Sequence, residues 1–126
     1  MSAVVTTINN TSYLDVLVCN DLVTTTSNPV QVEVVDLGIV KTSSCPWTVR
    51  GGKVTFCTQI TNPSIDRDLI AAVFRDILND RLTYVDGSFT VNGVPETPII
   101  SGQQMQFTLD IMSGQTVSIC FTALVR

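Results

Sequence analysis

With 126 residues, 44% of them hydrophobic and only 14% charged, the chain has room for one domain with a real core and lacks the composition of a disordered protein. Two lysines and five arginines stand against nine aspartates and two glutamates, for a formal net charge of -4. No basic run tracks a phosphate backbone, so nucleic acid is not an expected partner. Threonine, valine and isoleucine dominate, while the helix-surface formers Glu, Lys and Ala are scarce, which points to an all-β chain.

The first residues, Met1-Ser2-Ala3-Val4-Val5-Thr6-Thr7, carry no positive n-region, sustained apolar stretch or cleavage site, and no segment approaches the length of a membrane span. Four cysteines, Cys19, Cys45, Cys57 and Cys120, occur without a CxxC pair and without any histidine. Zinc is therefore a poor reading, and oxidation after synthesis a better one. The absence of histidine also removes Ser-His and Cys-His nucleophile arrangements, so no enzyme activity, catalytic residue or cofactor is expected. Asp66-Arg67-Asp68 with Asp76, Asn79 and Asp80 lacks the spacing of a calcium loop and reads as solvated loop charge; no metal site is expected.

In chain order, residues 1–28 read as an extended N-terminal arm and residues 29–126 as a β-sandwich domain. Val4 to Ile8 and Leu14 to Cys19 each have the makings of a short strand, interrupted by Asn9-Asn10-Thr11-Ser12 and by Thr24-Thr25-Thr26-Ser27-Asn28-Pro29. Asn9 and Asn10 each begin an N-x-Ser/Thr sequon and are read as ordinary turn asparagines. Val30 to Val40 reads as a long first strand whose apolar face changes side near Val35-Asp36-Leu37, with Gly38 offering a bend. Trp47, beside Pro46, is expected to close one end of the sandwich.

Val54, Phe56, Thr58 and Ile60 alternate with Thr55, Cys57, Gln59 and Thr61, the pattern of a half-buried strand that Asn62-Pro63 ends. After the apolar run Leu69 to Phe74, Asp86-Gly87 and Asn92-Gly93 mark two tight turns. Met105, Phe107 and Leu109 alternate inward, Ser113-Gly114 turns the chain, and Val117, Ile119, Phe121 and Ala123 complete the core. By the same alternation Cys57 and Cys120 face away from that core.

The series Leu37 to Thr42, Gly52 to Asn62, Leu82 to Gly93 and Ser113 to Ala123 resembles the bacterial conserved repeat domain, the family called domain of unknown function eleven, over about residues 36–126. The resemblance implies an immunoglobulin-like antiparallel β-sandwich in a cell-surface or envelope protein, where it spaces and links rather than catalyses. It also implies that the strands holding Cys57 and Cys120 are neighbours, so that a cross-strand disulfide forms if their Cα atoms are within reach. The Arg75-Asp76-Ile77-Leu78-Asn79-Asp80-Arg81-Leu82 segment departs from the family pattern, as do the cysteines.

The function expected is that of a structural subunit: a homo-polymer in which the arm docks on a neighbour through Leu14, Val16 and Val18. Cys19, Cys45, Cys57 and Cys120 are the candidates for covalent cross-links, and the product is a fibre or a spore or envelope appendage. Other surface or appendage proteins are further candidate partners, and the bacterial cell or spore surface is the expected location, reached without a recognisable signal peptide. The competing reading is an adhesive or ligand-binding module using end loops with Trp47 and Tyr84. Four cysteines allow three complete intramolecular pairings, and the sequence does not choose among them.

Overall fold

The computed structural model describes residues 5–126, with side chains from residue 7 onward. The first residues of the expected arm, including Val4 of the expected Val4–Ile8 strand, lie outside the described residues. The described chain is all-β, with strands β1 (Val5–Asn10), β2 (Tyr13–Val18), β3 (Asp21–Thr26), β4 (Val30–Val35), β5 (Gly38–Ser43), β6 (Lys53–Thr61), β7 (Leu69–Ile77), β8 (Leu82–Tyr84), β9 (Thr90–Val91), β10 (Val94–Pro95), β11 (Ile99–Ser101), β12 (Gln104–Ile111) and β13 (Thr116–Val125).

Strands β5 to β13 make an antiparallel sandwich. Its larger sheet runs β10-β9-β13-β6-β5, with β8 also paired to β13, and its smaller sheet runs β11-β12-β7. The β6–β13 ladder is the spine, pairing Thr61 with Thr116 at one end and Lys53 with Leu124 at the other. Because side chains alternate across a strand, this register puts Val54, Phe56, Thr58 and Ile60 on the same face as Val117, Ile119, Phe121 and Ala123. That face meets Phe74 and Leu78 from the β7 side and Met105 and Ile111 from β12, with Phe89 fully buried between the sheets. The rings touch in tilted pairs, Phe89 with Phe107 at 5.3 Å and Phe56 with Phe121 at 5.7 Å between centroids.

The turns follow the glycine pairs. Asn92 and Gly93 both adopt positive φ, at 51° and 81°, and join Val91 to Val94 as a two-residue hairpin loop. Asn62 does more than end β6: it is fully buried, donates from Nδ2 to the carbonyls of Arg67 and Ile111, and accepts from the Ser64 amide. It therefore ties the β6–β7 loop to the end of β12 and satisfies backbone groups that burial would otherwise orphan.

Val30 to Val40 is two strands, not one. The chain leaves β4 at Val35, crosses Asp36-Leu37, and enters the larger sheet at Gly38, so the expected change of face is a change of sheet. β4 pairs with β1, from Val5↔Val35 to Asn10↔Val30, and β2 pairs with β3, from Tyr13↔Thr26 to Val18↔Asp21. The Ser27 amide bonds the Ser12 carbonyl between them. The arm is thus a two-stranded ribbon that folds back on itself and continues through Val35, beyond the expected boundary at residue 28.

Truncating the fully buried Phe121 to alanine should cost about 3–5 kcal/mol of unfolding free energy in urea denaturation, and Phe56→Ala less, because Phe56 is only half-buried. Equal losses at the two positions would contradict this packing.

Candidate functional site

The ribbon is turned at its tip by Cys19 and Asn20, both in the left-handed region with φ of 49° and 67°. This is the geometry of a two-residue hairpin turn matching the twist of its flanking strands, and it usually recruits Asn-Gly rather than cysteine. Cys19 is exposed there as a free thiol. Behind it, the register places Leu14, Val16, Val18 and Val23 on one face, and Tyr13, Leu17 and Leu22 on the other with Asp15 and Thr24. All seven of these apolar residues are exposed, and Thr24 Oγ1 donates to Asp15 Oδ1 at 2.7 Å.

The four cysteines divide into a pair and two singles. Cys57 and Cys120 sit directly opposite one another in the β6–β13 ladder, on the face away from the core, with Cα atoms 4.1 Å apart, and they form a disulfide. As cross-linking candidates toward another subunit they are therefore replaced by Cys19 and Cys45, the two free thiols. Thr55 and Thr122 continue the outer row with a hydroxyl–hydroxyl hydrogen bond of 2.9 Å. Cys45 lies half-buried just past β5, where Ser43 Oγ donates to its carbonyl oxygen.

The sandwich is open along one side. Among the described residues β5 is the last strand of the larger sheet and β7 the last of the smaller, so both present an unpaired edge. Between them runs an apolar groove of about 320 Å³ lined by Leu37, Ile39, Ile60, Phe74, Leu109 and Ile111. Ile39 shares a face with the core residue Ile60, yet stays 66% exposed because the smaller sheet does not reach over it. Farther along, Lys41 Nζ meets Asp76 Oδ2 at 2.5 Å and joins the two edges. Asp76 is buried and Lys41 half-exposed; the ammonium also lies 5.2 Å from the Phe56 ring centroid. The pair supplies the countercharge a buried carboxylate requires.

Other expected sites are dispersed. Trp47 does not close the sandwich: it lies on the β5–β6 loop and is 76% exposed. Tyr84 is half-buried, packs on Phe121 at 6.4 Å, and lines a separate hollow with Leu78, Gln103 and Met105. The acidic residues go separate ways, Asp66 to Ser64 and Arg67, Asp68 to the Ser113 amide and Asp76 to Lys41. No group of metal-capable side chains forms among the described residues. No helix of the described residues is long and apolar enough to cross a membrane.

No family model, curated protein or solved structure matches the chain.

The Cys57–Cys120 bridge closes a loop with a sequence separation of 63. Replacing both cysteines by serine should lower unfolding stability by about 4 kcal/mol through loop entropy. Denaturation of this variant beside the wild type, with and without reductant, checks the expectation: reductant should weaken the wild type and leave the variant unmoved.

Proposed function

We propose that the chain is the structural subunit of a bacterial surface assembly, an immunoglobulin-like sandwich of the conserved repeat kind that polymerises through its arm and is locked by disulfides. The observation that carries this reading is the ribbon. A two-stranded ribbon is marginally stable alone in water, and this one leaves apolar side chains exposed on both faces. Such a surface is stabilised by a partner, and a connector that leaves one subunit to seat on the next is a head-to-tail contact that need not close, which generates a fibre. β2 pairs with β3 of its own chain, so docking does not rest on an unpaired single strand. The hairpin docks whole, through its free edges and apolar faces.

Cys19 at the tip and Cys45 beside β5 are the thiols available for covalent locking between subunits, while Cys57–Cys120 hardens each sandwich internally. The reading assigns no catalytic role, cofactor, nucleic acid or membrane span. It makes a second copy of the chain the main partner, with other surface or appendage proteins as secondary ones, at a bacterial cell or spore surface. A second reading, a surface adhesive module, draws support from the exposed Trp47 ring, an apolar platform suited to stacking on a sugar or a protein side chain.

Electrophoresis of assembled protein without reductant should show a ladder or material too large to enter the gel, collapsing to monomer when reductant is added. Cys19→Ser should shorten the ladder sharply. A single monomer band from assemblies verified by negative-stain microscopy would overturn the covalent part of the reading.

A further inference from the structure

We infer that the open seam between β5 and β7 is the acceptor for the arm, and that its occupant is strand β2 of a second copy of this chain, laid along the β7 edge with Asp15 opposite Arg75. The inference rests on the proposed arm-mediated assembly and names the surface that assembly would use.

Both edges are free. Among the described residues β7 pairs with β12 alone and β2 with β3 alone, so each presents a row of unbonded amides and carbonyls along one side. The two strands also match residue by residue. β7 carries Val73-Phe74-Arg75-Asp76-Ile77 and β2 carries Tyr13-Leu14-Asp15-Val16-Leu17. On β7, Phe74 and Asp76 face inward, while Val73 and Ile77 are exposed on the outer face with Arg75 between them. Setting Asp15 opposite Arg75 puts Leu14 and Val16 on the inner side, over the groove that Ile39 leaves uncovered. Tyr13 and Leu17 then fall on the outer side beside Val73 and Ile77. The groove, at about 320 Å³, is roughly twice a cavity of about 150 Å³ that admits benzene, so it has room for more than one aliphatic side chain.

Charge selects the same pairing. The first forty residues hold Asp15, Asp21, Glu33 and Asp36 and no cation, so the entire net charge of -4 lies on the ribbon and its link. Arg75 borders the groove from the outer face of β7 and makes no ion pair among the described residues. Asp15 has one carboxylate oxygen bonded by Thr24 and the other available. An opposite-charge pair directly across two strands favours this register over its neighbours. The chain's own ribbon has little freedom to reach its own seam: Asp36-Leu37 is the whole link between β4 and β5, too short to let β2 turn back along the β7 edge of the same chain.

The test is charge reversal in the full chain, read by sedimentation velocity across a concentration series. Asp15→Arg alone and Arg75→Glu alone should each raise the concentration for half-assembly about tenfold or more. Mixing the two variants should restore assembly to near the wild-type concentration, because contacts that alternate the two variants then join opposite charges. Ile39→Asp, placed in the groove, should weaken assembly similarly, with circular dichroism confirming an intact β fold. If Val16→Asp abolishes assembly while Arg75→Glu and Ile39→Asp leave it at the wild-type concentration, the acceptor lies elsewhere and this inference is overturned while the arm reading stands. If Val16→Asp and Leu14→Asp also assemble normally, the arm reading itself falls. Failure of the mixed variants to rescue overturns the Asp15–Arg75 register.

Discussion

The β6–β13 ladder is the constraint on which the remaining structure depends. One register decides three things at once: which side chains enter the core, which strands border the spine, and that Cys57 faces Cys120. A slip of one residue would turn one strand's apolar set outward, Phe56 with Ile60 or Ile119 with Phe121, and separate the sulfurs. The disulfide therefore records the register as well as stiffening it. Because β13 is the last strand, the spine cannot form until nearly the whole sandwich has been synthesised, which makes the fold rich in non-local contacts.

The ribbon is governed by different physics. In the sandwich, the inward-facing apolar residues are covered by a second layer; in β2 and β3 every side chain is exposed. Its order comes from backbone pairing and from a tip turn in which a cysteine accepts a conformation normally given to glycine or asparagine. Placing a thiol at that position costs some local strain and leaves the sulfur exposed at the tip of the ribbon. The Arg67–Glu33 contact at 3.8 Å, between two side chains that are not buried, is an electrostatic touch between ribbon and sandwich and contributes little to holding one against the other.

Much of the sandwich was legible in the residues. Period-two alternation marked β6, β12 and β13 and their buried faces, and Asp86-Gly87 and Asn92-Gly93 marked turns, because these patterns act locally. What failed to show was pairing at a distance. Nothing in Val30-Gln31-Val32-Glu33-Val34-Val35 reveals that its partner is Val5–Asn10 rather than the sandwich, since alternation specifies a strand but not its neighbour. Cys19-Asn20 hid a hairpin turn because cysteine carries no turn signal. The burial of Asn62 and the exposure of Trp47 both run against the residue type, and both are set by loops whose course no periodicity describes. The open seam was hidden for a related reason: Ile39 reads as core, and only the small width of the opposing sheet leaves it bare.

The separation of charge along the chain has a consequence for direction. The residues after Val40 carry seven cations and seven acids and are neutral as a body, whereas everything before Lys41 is purely acidic. Two ribbons approaching edge to edge meet like charge with like, and nothing in either neutralises it, so the most obvious misassembly of two sticky hairpins is disfavoured at long range. A ribbon approaching a sandwich meets no such barrier. The molecule is in this sense electrically divided, with an acidic ribbon that repels its own kind and a neutral body that tolerates it, and an assembly built by the proposed ribbon-to-sandwich contact would share a single orientation from first member to last.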